Sequence, residues 1–150
     1  MNIHSEHANL VHAVVCDFIP RFVPDSKIAF IRDTSEMWPH LDKSLLGKLG
    51  IKQDSSVKLP DLVLYCVSKN WLLLVDVVIE NDQIDSIRHA ELAELFANTP
   101  ASLSFVSAFR NRTLMSRHLG DIAWQAVAWI ADEPSHLIHF NGTQLVGPYS

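Results

Sequence analysis

Two long apolar runs lie almost end to end in this chain: LPDLVLYCV, ending at Val67, and WLLLVDVVIE, starting at Trp71, with only Ser68-Lys69-Asn70 between them. Val, Leu and aromatic residues occupy successive positions in both, so each reads as a central strand covered on both faces. The polar break is a turn signal, which makes the runs an antiparallel hairpin. Downstream, Ile84–Ala97 has helical periodicity, with Asp85 or Ser86 as its cap and Leu92, Leu95 and Phe96 facing inward. It leads into a further strand, Ser102–Phe109. A strand-helix-strand connection of this kind normally crosses over right-handed to a parallel neighbour.

On the N-terminal side, Leu10, Val11, Val14, Val15 and Phe18 recur at helical spacing within Ser5–Ile19, a helix expected to stop before Pro20. Pro20, Pro24 and Asp25 mark a turn-rich connection to a short strand, Lys27–Ile31, after which Arg32-Asp33-Thr34-Ser35 reads as polar loop. A second helix is expected from about Leu41 to Leu49, with Gly50 in the capping position that favours a residue without a side chain. Beyond Phe109 the pattern predicts a helix over about Thr113–Ala123, an aromatic segment Trp124–Ala131, and a closing β-hairpin turned at Asn141-Gly142. The 150 residues, 48% apolar and 19% charged, show no repeat and no linker-like tract. A single domain spanning 1–150 is therefore expected.

A formal net charge of -5 excludes a surface that is basic all over, so any nucleic-acid contact must be regional. The regional candidates are Arg110, Arg112 and Arg117, which follow the strand expected to run parallel to the hairpin. A solvated helix face accounts for the same residues. Cys16 and Cys66 form no C-x-x-C pair, which speaks against a disulfide framework or a zinc knuckle and points to a reducing cytoplasm. The start MNIHSEHANL lacks the features of a secretory signal, and no apolar run reaches the ~18 residues of a membrane span.

The apolar runs nevertheless contain two acids, Asp61 and Asp76. With Ser68-Lys69 as a two-residue loop, Val67 faces Asn70 and Asp61 falls opposite Asp76. Directly opposed residues have Cβ atoms roughly 4.5–5.5 Å apart, and like charges there destabilise. A divalent metal held by Asp61 and Asp76 resolves the conflict, and magnesium suits it because it takes one or two carboxylates plus water and phosphate oxygens. The chemistry implied is phosphodiester hydrolysis by a metal-activated water. Strand alternation puts Glu80 on the face of Asp76, as a third ligand or water-positioning base. A plainer reading has Asp61 merely starting a strand after Pro60 and Asp76 hydrated at the sheet rim.

Pro60-Asp61, a hydrophobic strand and an acid inside a second strand resemble the PD-(D/E)XK nuclease signature. The stretches LPDLVLYCVSKNWLLLVDVV, IRHAELAELF, FVSAFRNRTLMSRHLGDIAW and WIADEPSHLIHFNGTQLVGPY, with DFIPRFVPDSKIAFIRDTSEMW near the start, together resemble the C-terminal catalytic domain of BsuBI/PstI-type restriction endonucleases. That resemblance implies an α/β fold with a PD-(D/E)XK core, and Mg-dependent cleavage of duplex DNA with Mn as a substitute ion. It also implies Asp61 and Asp76 as the catalytic acids, the second where a glutamate is usual. The third signature position is Val78, where the wider superfamily carries lysine.

Polar loops depart from the family pattern. Ile79-Glu80-Asn81-Asp82-Gln83 stands where a Thr-Ser-His-Gly-Pro type segment is usual, and Arg32 to Met37 replaces a Gly-Asp-Thr loop followed by lysine. Trp124-Gln125-Ala126-Val127-Ala128-Trp129 lacks two acids of its counterpart. Arg88, near the proposed metal site in sequence, is either a substitute cation contacting DNA or one half of a surface pair with Glu91. Trp124 and Trp129 are read as core or interface residues, and His136 and His139 as structural. Two functions follow: a metal-dependent DNA endonuclease, or a catalytically silent nuclease-fold module for DNA binding or protein interaction in a phage-defence or restriction-control system. A homodimer and a partner supplying DNA recognition are expected alongside the first.

Overall fold

The computed structural model describes residues 3–32, 40–51, 59–79 and 85–143. Its frame is a mixed sheet whose strand order, among the described residues, is β2-β1-β3-β4-β5-β6-β7. These strands are β1 (Ser26–Ile31), β2 (His40–Leu41), β3 (Leu62–Cys66), β4 (Trp71–Val77), β5 (Ser102–Phe109), β6 (Ala126–Ile130) and β7 (Leu137–His139). The two apolar runs are β3 and β4, paired antiparallel at the centre, and β5 lies parallel to β4 as the intervening helix led one to expect. β6 continues the parallel set, and β7 closes the far edge antiparallel to it.

Strand alternation divides the core into two layers. Leu62, Leu64, Leu73, Val75 and Val77 pack with Leu10, Val11, Val14 and Phe18 of the N-terminal helical segment, and Trp129 joins them from β6. On the other face, Val63, Leu72, Leu74 and Phe105 meet Leu46 of α3 (Lys43–Lys48) and Leu92 and Leu95 of α4 (Ser86–Leu95), with Phe96 just beyond. Asp42 and Asp85 cap these two helices by accepting the backbone N–H groups of Leu45 and Arg88. Gly50 has φ +74°, and an added Cβ would come within 2.7 Å of the Asn98 carbonyl oxygen, so backbone and packing both require glycine there.

Two helices differ from expectation. The first does not stop before Pro20: α1 (Ile3–Ala13) widens into a π-helical turn over Val14–Phe18 and resumes as α2 (Ile19–Phe22). Proline has no N–H to donate, and the wide turn, closed by Ile19 N–H on the Val14 carbonyl, carries the chain across it. The helix expected over Thr113–Ala123 is only α5 (Arg112–Arg117), followed by a short 3-10 turn at Leu119–Asp121. Asn111 caps α5, and Gly120 breaks the periodicity that would have prolonged it. Of the two tryptophans in the aromatic segment, Trp129 is fully buried and donates Nε1–H to the Pro134 carbonyl, whereas Trp124 stands exposed. β6 and β7 make the C-terminal antiparallel pair. Asn141 and Gly142 have no strand structure, and the second arm of the expected turn lies outside the described residues.

Candidate active site

The hairpin register brings the two acids to one rung. Leu62 pairs with Val75 and Cys66 with Trp71, so the next step outward sets Asp61 against Asp76, as the Ser68-Lys69 turn predicts. Asn70, at φ 54°, closes that turn by donating its N–H to the Val67 carbonyl. Both aspartates are buried, each 6% exposed. They reach across to each other's strand: Asp61 N–H donates to Asp76 Oδ1 at 3.2 Å, and Val77 N–H donates to Asp61 Oδ2 at 2.9 Å. Past Leu62 and Val75 the carboxylates thus satisfy backbone donors that would otherwise be buried without partners.

Their oxygens meet basic side chains from three elements. Arg88 on α4 donates Nε–H to Asp76 Oδ2 at 3.1 Å. His7 on α1 lies with Nε2 at 2.9 Å from Asp61 Oδ1; a carboxylate only accepts, so the proton sits on Nε2 and Nδ1 is left buried without a partner. Arg32, just past β1, donates its backbone N–H to the Asp61 carbonyl at 2.7 Å and Nη2–H to the Leu59 carbonyl at 2.9 Å. Its Nε is 3.8 Å from Asp61 Oδ1, too far for a hydrogen bond. The rung is therefore not held by an ion alone, as the sequence suggested, because protein groups already balance much of its charge. The balance is incomplete at Asp76: burial raises its pKa above the ordinary carboxylate value, Arg88 opposes the rise, and the nearby charge of Asp61 adds to it. Nor is Asp76 a hydrated rim acid, as the plainer reading had it.

Among the described residues no cluster of three or more His, Cys, Asp or Glu side chains is placed to hold a metal. Among the described residues, the carboxylates at this rung that could serve an ion are the two aspartates. Hard carboxylate oxygens on adjoining strands, one of them undercompensated in its burial, fit a small divalent cation that completes its shell with water and phosphate oxygens.

A cleft of about 710 Å³ opens two residues beyond Asp76 in the chain, lined by Glu6, Asn9 and Leu10 of α1, Val78 and Ile79 beyond β4, and Arg110, Thr113 and Arg117 around α5; neither aspartate is on its wall. Of the four arginines expected at DNA, Arg110 and Arg117 line it. Arg112 is turned to Glu133 at 2.9 Å and to His136, and Arg88 is turned inward onto Asp76. Glu80 lies outside the described residues. Neither His7 nor Arg32 was singled out by the sequence reading. His7 carried a signal, since it sits three and four positions before Leu10 and Val11 on the apolar face of α1, where an unpaired polar side chain is costly. Arg32 carried none, because its proximity to Asp61 depends on the pairing of β1 with β3.

A mixed sheet sandwiched by helices, with paired acids on adjoining central strands near an arginine-lined cleft, is a nuclease-like arrangement. The family model for the BsuBI/PstI restriction endonuclease domain matches residues 3–143, and the chain belongs to that family. It is 45% identical over 144 residues to the type II restriction enzyme BsuBI of Bacillus subtilis, covering 96% of this chain and 46% of that enzyme. It is 34% identical over 142 residues to the type II restriction enzyme AplI of Arthrospira platensis, covering 90% and 44%. Among solved structures, that of SdaI restriction endonuclease superposes with a TM-score of 0.84 at 41% identity, covering 94% of this chain and 44% of that one. The chain spans less than half the length of these relatives. Among the described residues no helix is long and apolar enough to cross a membrane.

Proposed function

We propose that this chain is the catalytic domain of a metal-dependent endonuclease that hydrolyses phosphodiester bonds of duplex DNA. The carrying observation is the rung itself, two buried aspartates locked to each other's strand near a cleft with arginines on its wall. Membership of a restriction endonuclease family supports the reading. In it Asp61 and Asp76 hold magnesium, with manganese as a substitute. When bound, the ion polarises the phosphate and lowers the pKa of the attacking water. Arg110 and Arg117 grip backbone phosphates along the cleft, while Arg88 and His7 keep the acids oriented. Glu80 is assigned to the water-positioning role on strand alternation alone.

The same reading proposes one domain over 1–150, a cytoplasmic setting suited to the free Cys16 and Cys66, and a two-fold homodimer for cutting both strands of a symmetric site. Sequence reading of the DNA is assigned to a partner or to a further polypeptide segment. Incubating the purified chain with duplex DNA and Mg²⁺ or Mn²⁺, beside Asp61→Ala, tests the activity. Metal-dependent nicking lost in the variant supports it. Salt-sensitive DNA binding without any cutting would return the silent-module reading.

A further inference from the structure

Arg88, His7 and Arg32 surround the acidic rung among the described residues, and they are not equivalent. Arg88 is committed: its Nε is bonded to Asp76, and its side chain is only 18% exposed. His7 is committed to Asp61 and 13% exposed. Arg32 is held differently. Its backbone N–H is bonded to the Asp61 carbonyl, Nη2 to the Leu59 carbonyl, and its guanidinium lies over the Phe30 ring at 5.7 Å. These contacts fix the guanidinium beside Asp61 without neutralising it, since they engage carbonyls and a ring face. Among the described residues the carboxylate near it, Asp61, stays at 3.8 Å, and Nε is closed off from solvent without a hydrogen-bond partner there. Yet the side chain is 32% exposed.

We infer that Arg32 is the cation of this site that contacts the substrate, taking a non-bridging oxygen pair of the phosphodiester next to Asp61. This assignment rests on the endonuclease reading above. With Nε enclosed and one Nη2 donor on the Leu59 carbonyl, the Nη1–Nη2 edge of the guanidinium is left, a planar pair of donors that matches a phosphate bidentately, which a point-charge ammonium does not. Its position is set through the same short segment, Leu59 to Asp61, that sets the acid, so guanidinium and acid are placed together. It also supplies a cation where the third signature position of the sequence is the apolar Val78.

The test uses the whole chain and a short duplex. Affinity is measured against salt in EDTA, where cutting is off, for the wild type, Arg32→Ala and Arg32→Lys, with thermal midpoints recorded in parallel. Cleavage is then measured with Mg²⁺. Removing one phosphate contact lowers the slope of log affinity on log salt by about 1, and Arg32→Ala should show this while Arg32→Lys restores the slope. Turnover should fall by about 100-fold in the alanine variant, mostly in kcat, with only partial recovery in the lysine variant because the fork is lost. A merely structural Arg32 would lower the midpoint and leave the slope unchanged, and that result overturns the proposal. Wild-type protein that binds but does not cut overturns the endonuclease reading alone, leaving Arg32 to be judged on the slope. Wild-type protein with no salt-dependent binding overturns both.

Discussion

The β3–β4 hairpin is clasped at each end by aspartate, and the two clasps are opposite in kind. At the turn, Asp25 stands in solvent and accepts the Ser68 N–H at 2.7 Å and the Cys66 thiol at 3.1 Å. Hydrogen bonds from Ser68 and Cys66 draw its pKa down to about 2. At the far end, Asp76 also accepts a backbone N–H across the hairpin and has an arginine besides, yet burial pushes its pKa up. The first acid is ionised because the fold favours its charge. In the second, burial opposes the charge. An acid that merely tied strands together would be better placed in the open, as Asp25 is, and on the endonuclease reading the burial of Asp76 is that of a group kept for chemistry.

The contrast breaks most visibly in activity. Asp76→Asn and Asp61→Asn should each cut Mg-dependent cleavage by at least about 100-fold, while Asp25→Asn leaves it within the range set by its loss of stability. Magnesium should stabilise the wild type by mass action, by about 2.7 kcal/mol at a hundredfold excess over Kd, and so raise its thermal midpoint. It should leave Asp76→Asn unmoved. A midpoint shift surviving in that variant would remove Asp76 from the metal site.

Stability should run the other way. Asp25→Asn removes an ionised acceptor and lowers the midpoint at neutral pH, whereas Asp76→Asn imitates the protonated form that burial prefers and should leave the metal-free midpoint unchanged or higher. Denaturant melts of both at pH 7 decide this. A large destabilisation by Asp76→Asn would mean that its bond to Arg88 outweighs desolvation.

The pH dependence sharpens the same point. For Asp25 the folded pKa lies below the unfolded one, so its contribution is complete above about pH 4 and is lost as pH falls towards 2. For Asp76 in metal-free protein the folded pKa lies above the unfolded value of 3.8. Its folded form therefore binds more protons, and its contribution is largest below that value and declines as pH rises through the folded pKa. Melts from pH 2 to 8 should lose the acid limb in Asp25→Asn and the declining limb in Asp76→Asn.

The asymmetry between the clasps also marks how far the sequence could be read. The Asp61–Asp76 rung was legible because it needs only local information, a short turn and a period of two, and the β5 crossover was legible for the same reason. What balances the rung was not. Arg88 comes from the next helix, His7 from a helix 54 positions away in sequence, and Arg32 from just past a strand whose pairing includes a bulge between Ile28 and Phe30. Asp25 was read as a turn residue, and its bond to Ser68 across 43 positions is visible only once β1 pairs with β3. The π-helical turn before Pro20 escaped because the apolar spacing of Val14 and Phe18 suits a wide turn as well as a regular one.

The smallest effect concerns the arginines of the cleft wall, and it extends the comparison from acids to cations. Arg110 and Arg117 both line the cleft. Arg110 also has Asp132 at 3.7 Å, an exposed pair that is worth little and yields readily to a phosphate. Arg112, equally a member of the cluster in sequence, is tied at 2.9 Å to Glu133 and points to His136 instead. Alanine at Arg110 or Arg117 should therefore each reduce the salt slope of duplex binding by about 1, and alanine at Arg112 should not change it. Measured by fluorescence anisotropy over a salt series, an equal loss for all three would mean that the Arg112–Glu133 pair opens on DNA. Exposed ion pairs would then say nothing about which arginines face the substrate, and the distinction between committed and available cations would survive only for the buried ones.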